Sequence, residues 1–110
     1  MDNIKRISEK LRNNEYMSTP HQAAEDKGIL AGEYAFIMSC LEEILNRKPL
    51  KWNAMRDTYK SDTACERAWE QTEDGINETG LRLREKSIKS MMSALGTIVR
   101  LNSDEAHNLS

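Results

Sequence analysis

Turn-forming and aromatic residues are scarce in this chain of 110 residues, which holds two prolines, five glycines, three tyrosines, two tryptophans and one phenylalanine. That shortage, with no run of β-branched residues and no alternating apolar pattern, excludes a sandwich or barrel of short strands. Two cysteines without CxxC spacing exclude a disulfide scaffold. Cys40 and Cys65 fall on different expected helices and read as reduced, partly buried thiols, with a disulfide between them as the lesser option. No positive excess exists either: the formal charge of -2 argues against a protein that coats duplex DNA by bulk charge, while leaving room for a local basic patch. Residues 34–40 form the longest apolar run, broken by Ser39 and far short of the roughly 20 residues of a membrane span. Residues 1–10 alternate charge and lack the apolar core of a signal sequence, so a soluble cytoplasmic protein is expected.

Helix formers are abundant, and they imply an all-α fold of one domain. The dominant element is the stretch 72–107, expected as one helix of about 50 Å at about 1.5 Å per residue. Thr72 is suited to cap it, and Glu73 and Asp74 place acid at the positive end of its dipole. Ile76, Leu83, Ile88, Met91, Met92, Leu95, Ile98, Val99 and Leu101 recur at helical spacing and define its buried face, opposite Glu78, Arg82, Lys86, Lys89 and Ser93. Ile88, Met91, Leu95 and Ile98 alternate steps of three and four, which suits a coiled-coil seam between chains or, equally, a core stripe within one. Gly80 and Gly96 sit on or near this face, where close helix approach would use them.

The remaining chain divides by its caps and breaks. Residues 1–17 hold a short amphipathic helix with Ile4, Ile7 and Leu11 on its apolar side, then a polar turn. Ser18 and Thr19 before Pro20 mark the start of a second long helix, over 20–47, with Glu25 and Asp26 in its early turns. Gly28 and Gly32 within it suit a close crossing or a kink. Lys48-Pro49 should end that helix, because the residue before proline is pushed out of the α region. Residues 50–71 then read as two short helices, the second capped by Ser61, and the last helix follows over 73–107 with a polar, frayed end. The expected architecture is a helical bundle of two long antiparallel helices joined by two short helices, plus the short N-terminal helix.

Chemistry is thinly represented. His21 and His107 stand in polar contexts without a second histidine or carboxylate at ligand spacing, and Glu33, Glu42 and Glu43 lack the Glu-x-x-His partner of a di-iron bundle. Neither a phosphate-binding glycine loop nor a GxSxG elbow occurs. A non-enzymatic protein without cofactor, metal or small-molecule substrate is therefore expected.

One constellation stands out: Lys51, Trp52, Arg56, Tyr59, Lys60, Arg67 and Trp69, followed by Arg82, Arg84, Lys86 and Lys89. Cations interleaved with rings are what a single-strand nucleic-acid surface uses, cations on phosphates and rings on bases. The competing reading makes Trp52 and Trp69 core anchors and the later cations a solvated face with Glu78 and Glu85.

The pattern Trp52-Asn53, Arg56, Lys60-Ser61-Asp62, Arg67, Trp69-Glu70, Thr72, Asp74-Gly75, Glu78, Leu81-Arg82, Lys86 and Ser93-Ala94-Leu95 resembles small phage and prophage proteins encoded among replication and recombination genes. The order of a Lys/Trp-rich middle, an acidic turn and a long last helix is similar to UvsY-type recombination mediators. That resemblance implies a helical oligomer that binds single-stranded DNA and assists a recombinase; this chain is shorter and less basic than those mediators. Two functions follow. The first is a phage-type oligomeric accessory protein of DNA replication or recombination that binds a recombination protein or single-stranded DNA, the latter through Lys51, Trp52, Arg56, Lys60, Arg82 and Lys86. The second is a protein-binding adaptor or inhibitor of a host complex that binds no nucleic acid. Both expect a homo-oligomer.

Overall fold

The computed structural model describes residues 2–109, and side-chain surroundings for residues 2–104. It is all-α, as the composition requires. Helix α1 spans Asn3–Arg12. A 3-10 turn over Glu15–Met17 leads into α2, Pro20–Arg56. The short α3, Asp62–Glu70, and the long α4, Glu73–Leu109, complete the chain. No described helix is long and apolar enough to cross a membrane.

The caps expected at Ser61 and Thr72 are present, Asp2 adds one at the start of α1, and Thr19 Oγ1 donates to the Glu15 carbonyl at 3.2 Å. Asp2 accepts from the Ile4 N–H at 2.9 Å, Ser61 accepts from Ala64 at 3.1 Å, and Thr72 Oγ1 accepts from Gly75 at 3.0 Å. Each satisfies an N–H that the first helical turn leaves without a partner. Asn14, at φ 54, turns the chain between α1 and the 3-10 segment, a left-handed conformation that asparagine tolerates better than most residues.

The expected break at Pro49 does not occur. Helix α2 runs through it, so the anticipated first short helix is the last part of α2, and α3 is the separate short helix. Proline removes one backbone donor, whereas the side chains on either side hold the helix to its neighbours: Lys48 donates to Glu78 at 3.2 Å, and Lys51 donates to Asp74. Those tertiary bonds outweigh a local preference. At the other end, α4 continues as helix to Leu109 through the segment expected to fray.

Backbone proximity divides the chain into two compact units, the first comprising residues up to Ala35 and from Lys86 onward, the second Phe36–Glu85. In the first unit Ile7, Tyr16, Ala23, Leu30, Ile88, Met91 and Leu95 are buried. In the second the buried apolar residues are Ile37, Leu41, Ile44, Cys65 and Trp69. Both cysteines are free thiols. Within each unit α2 and α4 run antiparallel. Lys27 lies by Gly96 and Lys89 stands over Tyr34 in the first; Lys48 meets Glu78 and Lys51 meets Asp74 in the second.

Several expected faces change side. Ile88 and Leu95 are wholly buried and Met91 nearly so, while Ile98 is half-buried. The candidate seam between chains is therefore spent as a core stripe within one chain. Ile76 and Leu83, expected in the core, are 60% and 65% exposed, and Glu78, expected in solvent, is buried. A methyl group at Gly28, Gly32 or Gly80 would meet nothing within 4 Å, so no close crossing within the chain uses them. At Gly96 the nearest atom would be Lys27 Nζ, at 3.1 Å.

Candidate functional site

The second unit gathers charge around two buried carboxylates. Asp74 and Glu78 lie one turn apart on α4 and face α2, where Arg47, Lys48 and Lys51 lie. Arg47 Nη2 donates to Asp74 Oδ1 at 2.9 Å and its Nε to Oδ2 at 3.3 Å, while Lys51 donates to the same Oδ2. Bonds from Arg47 and Lys51 hold the Asp74 carboxyl down at about 2, and the same bond raises the Arg47 guanidinium above its ordinary value. The Lys48 ammonium reaches Glu78 and also stands over two indoles, 5.1 Å from the Trp69 ring centroid and 5.7 Å from that of Trp52. These rings, with Leu45, Pro49, Glu66 and Glu70, line an open cleft of about 480 Å³. The buried Trp69 indole N–H has no acceptor among the described residues.

The six residues expected to contact nucleic acid are thus accounted for individually. Lys51 is bound to Asp74, Arg56 donates to Asp62, and the Lys60 ammonium donates to the Asp57 carbonyl at 3.0 Å. Trp52 is half-buried against Lys48, and Arg82 Nε stands 3.9 Å from Glu78 Oε2. Those five belong to the second unit; Lys86 is exposed and belongs to the first. Sequence reasoning did not select Arg47, Lys48, Asp74 or Glu78 as a group. A signal existed in the antiparallel register: two acids four apart on one helix opposite three cations on the other.

The first unit has its own buried carboxylate. Asp26 accepts from Arg6 Nη2 at 3.1 Å, from Arg6 Nη1 at 3.2 Å and from the Tyr16 hydroxyl at 2.6 Å, with the Lys10 ammonium 3.7 Å away. Burial alone would raise its pKa, but the bonds from Arg6 and Tyr16 outweigh that and hold the carboxyl below its usual range. Burial and the bond to Asp26 push the Tyr16 phenol well above its ordinary value, so it remains a neutral donor. This triad pins α1 and the 3-10 turn to α2, which the thin apolar face of α1 would not achieve alone. Of the two histidines, His21 is exposed and His107 lies outside the described side chains.

Several large apolar side chains of the second unit stand in solvent. Phe36 is 67% exposed and Leu50 80% on α2, and Ile76 and Leu83 are exposed on α4. Cys40, Ile44, Ile76 and Gly80 also line a shallow groove between α2 and α4, flanked by Glu43, Arg47 and Arg84. Comparison of the chain with protein-family models, with curated proteins and with solved structures gives no match.

Proposed function

We propose that this chain is a non-enzymatic, oligomeric accessory protein that acts by binding another protein, in the manner of an adaptor or inhibitor. The observation that carries this reading is how the second unit spends its side chains. Arg47, Lys48, Lys51 and Arg56 are engaged by Asp74, Glu78 and Asp62, whereas Phe36, Leu50, Ile76 and Leu83 stand in solvent. A phosphate backbone would have to displace those carboxylates from each cation, while an apolar protein surface gains by covering the exposed side chains.

The second reading, single-stranded DNA binding in replication or recombination, is favoured by the resemblance of the 52–95 pattern and by the exposure of Lys60 and Lys86. It implies that the ligand recruits cations now held by Asp62 and Asp74.

Capture from a lysate of the source organism tests the protein reading. Leu50 is so exposed that Leu50→Asp is expected to leave circular dichroism and melting temperature within about 2 °C of wild type. Wild type should retain a protein that Leu50→Asp, or its companion Phe36→Asp, retains at least several-fold less. Equal recovery by all three chains would remove this apolar surface from the account.

A further inference from the structure

The outer stripe of α4 is complementary to itself when run antiparallel. Ile76 and Leu83 stand seven residues apart on this stripe, with Thr79 and Gly80 between them, all four exposed. One turn before Ile76 is the exposed acid Glu73, and one turn after Leu83 is the exposed base Lys86. A two-fold axis passing between Thr79 and Gly80 sets Ile76 against Leu83 of a second copy and Thr79 against its Gly80. The same operation sets Glu73 against Lys86 of that copy. Every exposed apolar residue of the stripe then meets an apolar residue, and each charge meets its opposite. Gly80 stands near the crossing point, where a helix can approach most closely because a side chain is missing; within the chain a methyl group there would touch nothing.

We propose that the chain forms a two-fold symmetric dimer through this stripe, α4 against α4 of a second copy in antiparallel register. The occupant is a second copy because the order acid, apolar, small, apolar, base reads as its own complement in reverse, the condition an isologous interface imposes. The proposal replaces the Ile88 seam, which the core has absorbed, and deepens the oligomeric part of the proposed function. Groups buried within the chain, Asp74 and Glu78, lie on the side of α4 facing α2 and take no part. The outer stripe can therefore be altered without entering the core.

Sedimentation velocity on the full chain, from low to high micromolar concentration, tests it with three variants. Wild type should reach twice the chain mass. Gly80→Arg adds a side chain where the chain has open space and replaces glycine by a better helix former, so its far-ultraviolet dichroism should match wild type and its dimer should weaken by at least about tenfold. Glu73→Lys should weaken the dimer by about threefold, and Glu73→Lys combined with Lys86→Glu should restore it, a reciprocity that identifies this register. A single-chain mass at every concentration overturns the proposal and leaves the stripe to a different protein. An undiminished dimer in a folded Gly80→Arg overturns it too. A monomer that still captures a protein through Leu50 and Phe36 would sink the dimer, and with it the oligomeric part of the proposed function, while leaving its protein-binding part standing.

Discussion

Gly75→Ala is expected to lower the melting temperature by about 15 °C or more, or to prevent folding outright. Gly75 is the third residue of α4, where its N–H donates to Thr72 Oγ1 at 3.0 Å. Thr72 Oγ1 donates in turn to the Trp69 carbonyl at 2.6 Å, and the Thr72 N–H donates to that same oxygen at 3.0 Å. The turn from α3 to α4 is thus folded tightly over the Trp69 carbonyl. A methyl group on Gly75 would overlap that oxygen and come within 3.0 Å of Glu70 Cα. Both obstacles are backbone, so relief requires moving the end of α3 and with it Trp69, the buried anchor of the second unit. Gly28→Ala, on an exposed helical surface with nothing within 4 Å, is the control of opposite sign. It should raise stability by up to about 1 kcal/mol, because alanine restricts the unfolded chain more than glycine does. Thermal melts of both variants check the pair; a Gly75→Ala protein as stable as wild type would show that the turn is looser than described.

Asp26→Ala should cost about 3 kcal/mol, equivalent to a fall of about 10–15 °C in a domain of this size. The variant leaves the Tyr16 hydroxyl buried without its acceptor and releases Arg6 from its bidentate bond. Asp26→Asn, which keeps an acceptor for Tyr16 but not the charge, should cost less. Its pH dependence has a definite sign. The folded carboxyl titrates below the unfolded value of about 3.9, so the stability it contributes is fully present above that value and is lost as pH falls through the folded-state pKa. The gap between wild type and Asp26→Asn should therefore hold steady from neutral pH to about pH 5 and close in stronger acid. Asp74 has the same sign, with its loss extending down to about pH 2. Melting temperatures across that range check both statements, and a gap that widened in acid would contradict the assigned bonds.

Much of the fold was legible because helix periodicity and caps are local. Ser61 and Thr72 cap as their side chains imply, Pro20 opens α2, and the N-terminal helix is where Ile4, Ile7 and Leu11 place it. What misled was tertiary. Pro49 has a strong local preference against helix, yet Lys48 and Lys51 on either side of it are held across to α4. Helical spacing of the apolar residues of α4 points to one buried face opposite Glu78, yet Ile76 and Leu83 face solvent while Asp74 and Glu78 face α2, because the cations of α2 draw the carboxylates inward.

The candidate site was legible only in part for the same reason. Cations interleaved with tryptophans are visible in one dimension, but their neutralising carboxylates come from another helix: Lys51 from Asp74, Lys48 from Glu78. Gly75 stood inside a recognisable pattern without a reason, because the carbonyl that demands it becomes visible only once the α3–α4 turn is closed.

The central claim, that the cations of the second unit serve the fold and the chain's partner is a protein, is tested most directly by fluorescence anisotropy with a labelled single-stranded oligonucleotide. The titration is done at low salt and repeated near physiological salt, since binding through several phosphates loses orders of magnitude between the two. The account predicts no saturable rise in anisotropy at micromolar protein even at low salt. Tight, salt-sensitive binding that falls with Arg56→Glu and Lys60→Glu would contradict it and return those residues to a nucleic-acid surface.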